Sequence, residues 1–182
     1  MDLQPTNIQN EFIQLKPLAE ADFDILYMAA SDPLTWDQHP NKERYKPEVF
    51  RSFFDGGIES KGAFAAIDIK TGEIIGSSRY YDYDEIKKSI AIGYTFLGRQ
   101  HWGKQYNAMM KTLMLDYAFN FVDTVIFHIG ANNFRSQKAI AKLGAIKFNE
   151  EAVTYQGEQK AHLNYFYKIT KAQWQERTAD KT

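Results

Sequence analysis

The sequence predicts one α/β domain built on a mixed, largely antiparallel sheet. Three observations predict it. Strand-like and helix-like apolar patterns follow one another in the order strand, two helices, three strands, helix, strand, helix, two strands. The length, 182 residues, suits one domain with a core of its own. No repeat, linker or low-complexity run divides residues 1–182, so the core spans about 11–170 and a polar tail follows it.

Each element has its own signal. Glu11–Leu18 reads as the first strand, ended by Pro17, and a helix follows from Glu20 to about Ala30, with Phe23, Leu26, Tyr27 and Ala30 on one face. Ser31-Asp32-Pro33 stops it, and a second helix starts at Pro47, a favourable first-turn residue, and runs to about Glu59. Ala63–Asp68 and Ile74–Tyr81, joined through Lys70-Thr71-Gly72-Glu73, read as a hairpin, with Ser89–Leu97 as the next strand. The loop Gly98–Lys104 opens a long helix to about Phe121, whose stripe is read as Tyr106, Met110, Leu113, Tyr117 and Phe121. Thr124–Ile129 is a short apolar strand. Asn132 and Asn133 cap a helix that stops at Leu143-Gly144. Strands Ile146–Tyr155 and Lys160–Ile169 flank Gln156-Gly157-Glu158, and the tail from Lys171 reads as a frayed helix.

Composition narrows the function. Hydrophobic residues at 44% and charged residues at 25% argue against disorder. A net charge of −1 gives no basic excess for a nucleic-acid partner. With no cysteine, disulfides, thiolate metal sites and a cysteine nucleophile are all excluded. His39, His101, His128 and His162 show no metal-ligand spacing, so no metal is expected. The start Met-Asp-Leu-Gln-Pro lacks signal-peptide features and no apolar run reaches membrane-spanning length. The expectation is a cytoplasmic protein with no membrane partner.

Two segments carry chemistry. After the strand ending at Leu97, the loop 98–107 delivers helix N-terminal amides, which attract anions, with Gly103 for close approach and Arg99 and Lys104 for charge. Alone, this is a βα turn with one glycine and two cations. The second segment, Asn133-Phe134-Arg135-Ser136 with Leu143-Gly144, alone is an Asn-capped amphipathic helix.

Together the two resemble the signature motifs of GNAT acetyltransferases. Gln100-His101-Trp102-Gly103-Lys104-Gln105 resembles the family's pyrophosphate loop, and Asn133–Ser136 with Leu143-Gly144-Ala145 its Asn-x-x-Ser…Leu-Gly helix. Ile75-Gly76-Ser77-Ser78-Arg79 and Ile92-Gly93-Tyr94 fit the same pattern. The resemblance runs from about Glu11 to Trp174 and is closest to the Rim-like branch, which includes ribosomal-protein N-terminal acetyltransferases.

This resemblance implies a GNAT-type fold whose sheet splits between the strand ending at Leu97 and Thr124–Ile129. It implies an acetyl-CoA-dependent N-acetyltransferase acting by direct attack in a ternary complex on a small-molecule or peptide amine. Phe96, Leu97, Arg99, Gly103, Lys104, Gln105, Tyr106, Asn133 and Ser136 would bind the acetyl-CoA. Ser136 would sit by the thioester sulfur and an amide at Leu97 would face the developing oxyanion. Tyr81, Asp82, Tyr83 and Trp36 are the candidates for the acceptor side. The alternative is a degenerate domain that binds CoA as a sensor or interaction module. Two departures from the family pattern motivate it: Gln105 stands where Gly or Ala is usual, and Ala91 stands where many relatives carry a glutamate base. For the base, Asp82, Asp84, His101, Asp116 and a relayed water are the candidates. A homodimer is the expected assembly, since two-fold dimers are the commonest.

Overall fold

A computed structural model of the chain describes residues 1–154 and 161–179. A two-residue strand, β1 (Ile8–Gln9), precedes β2 (Ile13–Pro17). Helices α1 (Phe23–Ala30) and α2 (Pro47–Ser60) follow, then the meander β3 (Ala63–Asp68), β4 (Ile74–Asp84) and β5 (Ser89–Leu97). Next come α3 (Tyr106–Ala118), β6 (Thr124–Gly130), α4 (Phe134–Lys142), β7 (Ile146–Val153), β8 (His162–Thr170) and α5 (Lys171–Ala179). The turn read at Gln156–Glu158 lies outside the described residues.

All eight strands form one sheet in the order β1-β2-β3-β4-β5-β6-β8-β7. Every neighbouring pair is antiparallel except β5 and β6, which are parallel. The sheet has two covered faces. One packs against α3, α4 and α5 through Met110, Met114, Leu115, Ile140 and Trp174. The other is covered by α1 and α2, where Leu26, Phe50 and Phe54 pack on Ala65 and Phe96. Burying each such side chain contributes about 1.5–3 kcal/mol.

Two expectations need correction. The helix after the loop ends at Ala118, and its buried face is Met110, Lys111, Met114, Leu115 and Ala118. The stripe read from sequence is rotated from this face, and Phe121 lies beyond the helix, 46% exposed. Aromatic residues on both flanks of α3 pulled the sequence reading off the true face. The C-terminal helix, expected to fray, is docked: Trp174 is buried and its indole Nε1 donates to Asp116 on α3 at 2.7 Å. A single apolar residue is too little periodicity to announce such a contact.

Candidate active site

The site begins where β5 and β6 part. They pair only from Ser89↔Thr124 to Ala91↔Ile126. Beyond this a bulge distorts β5: Ser77 faces Phe96 while Arg79 faces Gly93, so two residues, Tyr94 and Thr95, oppose Ser78 alone. Tyr94 takes φ 51°, in the left-handed region. The outer half of β5 therefore stays with β4 and leaves β6.

Strand alternation decides what faces the gap. The Gly98 amide donates to Ile75 on β4 at 2.9 Å, so the Leu97 amide and carbonyl point away from β4. The Leu97 carbonyl accepts from Trp102 Nε1 at 2.9 Å, and its N–H is presented to the gap.

The loop from Gly98 makes one 3₁₀ turn at Arg99–His101 and enters α3 through two left-handed residues, Gly103 (φ 77°) and Gln105 (φ 65°). This brings the first amides of α3 to the mouth of the gap. On the far side, Asn133 caps α4 by accepting from the Ser136 amide at 3.1 Å. Its Nδ2 is thus the group left to meet a ligand. Arg135 anchors this helix start: it pairs with Asp37 at 3.0 Å and lies 4.0 Å over the Trp102 ring.

Between these parts lies a cavity of about 870 Å³, within the range of small-molecule sites. Phe96, Leu97, Gly103, Gln105, Tyr106, Asn133, Ser136 and Trp36 all line it. His101, a candidate base, also lines it, whereas the other sequence candidates do not reach the lining. Arg99 is turned to Asp32 at 3.0 Å, and Lys104 is likewise absent from the wall. Basic side chains that do line it are Arg44, Lys111, Arg135, Lys138, Lys142 and Arg177. Tyr81 stands one layer back, its ring edge-on to Tyr94 and His128, which line the cavity. Asp82 and Tyr83 do not line it, and Asp84 is held in the β4–β5 turn by Lys87 at 3.1 Å.

Two polar atoms of the wall, Thr35 Oγ1 and His101 Nδ1, are buried without a hydrogen-bond partner among the described residues. Burial, then the Lys104 charge, lowers the His101 pKa. Burial also lowers that of His128. Burial and the Arg44 guanidinium hold His39 well below its ordinary value. All three imidazoles are therefore poor cations. Among the described residues no group of His, Asp and Glu is arranged to hold a metal, and no helix is long and apolar enough to cross a membrane.

The acetyltransferase (GNAT) domain profile matches residues 13–146, well over half of the chain. The chain belongs to the GNAT acetyltransferase family. Its fold agrees. A GCN5-related N-acetyltransferase from Brucella melitensis superposes with a TM-score of 0.81 at 16% identity, covering 92% of this chain and 79% of that one. A GNAT-family acetyltransferase from Bacillus anthracis gives 0.73 at 18% identity, with coverages of 89% and 96%. The spermidine N-acetyltransferase of Vibrio cholerae, solved with CoA and spermine, gives 0.70 at 13% identity, with coverages of 91% and 99%. At these identities the likeness is one of fold. No curated protein matches the chain in sequence. Membership of the GNAT family implies transfer of an acetyl group from acetyl-CoA to an amine. The lining fits such a donor: helix amides and basic side chains for phosphates, and a free strand edge for an amide-bearing arm.

Lys111 was not among the residues singled out from sequence. It projects from α3 into the wall, 3% exposed, between Met110, Met114 and Leu115. The signal was present: at one turn's spacing from Leu115, it falls on the helix face that faces the sheet.

Proposed function

We propose that this GNAT protein is an N-acetyltransferase that moves acetyl from acetyl-CoA directly to a primary amine of a small molecule or a peptide N-terminus. The observation that carries this reading is the parting of β5 from β6 over the loop 103–106, with the Leu97 N–H facing the gap. Amides of Gly103 to Tyr106 would receive the pyrophosphate, and Lys104 would add charge from the rim. The free edge at Phe96 and Leu97 would pair with the pantetheine arm, and Asn133 Nδ2 would hold it from the other wall. The Leu97 N–H would stabilise charge growing on the carbonyl oxygen. Ser136, in the first turn of α4, would give a proton to the departing thiolate. Holding amine and thioester together supplies much of the rate, and no covalent enzyme intermediate is needed.

On the acceptor side, Trp36 lines the cavity, and Tyr81 braces Tyr94 and His128 from behind. Asp82 and Tyr83 are proposed only for the outer approach. The Rim-like resemblance favours a peptide N-terminus, whereas the spermine in the Vibrio cholerae neighbour belongs to that protein and adds polyamines to the panel. A cytoplasmic homodimer remains the proposed setting, checked by light scattering.

The test is release of free CoA thiol from acetyl-CoA over polyamines, amino acids, aminoglycosides and peptides with free N-termini. A cysteine-free enzyme gives no thiol background. Acceptor-dependent thiol release is the expected result. Absence of turnover with every amine, together with no rise in melting temperature on adding acetyl-CoA, overturns the reading.

A further inference from the structure

The sequence offers no glutamate where GNAT relatives often place a base, and the carboxylates considered in its stead, Asp82 and Asp84, do not line the cavity. Yet an amine that attacks a thioester must first lose a proton. Of the basic groups in the wall, the Lys111 amine is buried and held by two hydroxyls. Lys111 Nζ reaches between β4 and β5 beneath the bulge, donating to Ser78 Oγ at 3.0 Å and to Thr95 Oγ1. The two hydroxyls are 2.8 Å apart, and both lie within reach of the Gly93 carbonyl, at 3.5 and 3.3 Å.

The hydrogen-bond partners suit a neutral amine. A neutral amine has two N–H groups and one lone pair. Its two hydrogens go to Ser78 and Thr95, whose own hydroxyl hydrogens have each other and Gly93 as acceptors. An ammonium would need a third acceptor. Among the described residues none is in place, and no carboxylate lies within ion-pair distance of Nζ. Burial acts in the same direction and pulls the Lys111 pKa down to about 7. The titratable side chains on the elements around it do not oppose this. Tyr80 of β4 is a buried neutral phenol bonded to the Met114 carbonyl. His128 of β6 and His101 of the loop have lowered pKa values. Arg79 of β4 lies over Tyr94 and bonds the Phe53 carbonyl on the opposite face.

We propose that Lys111 is the base of the transfer, its neutral amine held by Ser78 and Thr95 with the lone pair toward the cavity. The proposal rests on the acetyl-transfer reading above. In the step, the acceptor ammonium gives one proton to Lys111 Nζ, which becomes the ammonium. The freed nitrogen lone pair forms the N–C bond to the acetyl carbon, the C–S bond breaks with its electron pair leaving on sulfur, and the nitrogen's second proton replaces the one that Ser136 gives to the thiolate, so that neutral amide and free CoA thiol result. Thr95 ties the base to the bulge that also frees the Leu97 N–H, so base and oxyanion donor are fixed by one distortion of β5.

The experiment measures kcat/KM against pH, from 5.5 to 9, with the best amine of the panel, for the full chain and for Lys111→Met. Methionine keeps the length and apolar stem, and Thr95→Val is the second variant, removing one anchor while leaving the amine. The parent should show a rising limb with a midpoint near pH 7. Lys111→Met should lose about 10²-fold in kcat and lose that limb, while acetyl-CoA still raises its melting temperature. Thr95→Val should keep the limb but displace its midpoint. A Lys111→Met profile parallel to the parent's overturns the assignment and leaves acetyl transfer standing. Failure of every amine to turn over removes the transfer reading, and the role of Lys111 with it.

Discussion

Gln105 holds a backbone conformation that side chains avoid, with φ 65° at the step into α3. Two residues earlier, Gly103 takes φ 77° at no such cost. The usual small residue at position 105 is thus explained by conformation rather than by contact with a ligand alone. Replacing Gln105 by Gly should relieve strain of roughly 1 kcal/mol and raise the thermal midpoint, while acetyl-CoA binding, measured by titration calorimetry, holds or tightens. A lower midpoint would mean that the glutamine side chain contributes more than its backbone costs. At this scale the residues singled out from short local motifs were brought together: Gly103, Tyr106, Asn133 and Ser136 all line the cavity. What stayed hidden depends on partners far along the chain. Arg99 is turned to Asp32, a pairing no local motif announces, and the value of Lys111 depends on Ser78 and Thr95, which the fold alone supplies.

Among the elements, β4 and β5 carry the geometry of the proposed site, and Gly76 lies at the close approach of the two strands. A Cβ at Gly76 would stand 2.1 Å from the Phe96 carbonyl oxygen and 2.9 Å from Leu97 Cα, both backbone atoms that cannot swing aside. Gly76→Ala should therefore push β5 from β4 just where Leu97 faces the gap. The expected result is a loss of stability of about 1–3 kcal/mol, as for overpacked cores, with kcat falling more than acetyl-CoA affinity. A variant with parental kcat would show that the Leu97 amide is not the oxyanion donor. Strand boundaries such as Ala63–Asp68 and Ser89–Leu97 were read correctly because turn residues bracket them. The face of α3 was misread because its aromatic residues lie on the flanks, whereas small and aliphatic side chains with one lysine meet the sheet. The docking of α5 rests on Trp174 and Asp116, 58 residues apart, and no local pattern encodes it.

At the scale of the whole molecule, the titrating groups act together on stability. Lys111 has a folded pKa of about 7, below its unfolded value, so the folded state binds fewer protons across the interval between them. Its contribution is complete above the unfolded pKa of 10.5 and is lost as pH falls toward 7. His39, His101 and His128 also have lowered values, so each removes further stability as pH falls below 6.5. Tyr80 works in the other direction. Its hydroxyl is buried on the Met114 carbonyl and its pKa is raised well above 10.0, so stability is lost once pH climbs past that point. Unfolding free energy from denaturant titrations should thus rise from pH 6 toward 10, then fall. Between pH 7 and 10 one proton sets a slope of up to ~1.4 kcal/mol per pH unit. Lys111→Met should flatten that interval and leave the histidine slope below pH 6.5 intact. An unflattened slope in the variant would show that Lys111 is folded as an ammonium, and the neutral amine assigned to the cavity wall would then be untenable.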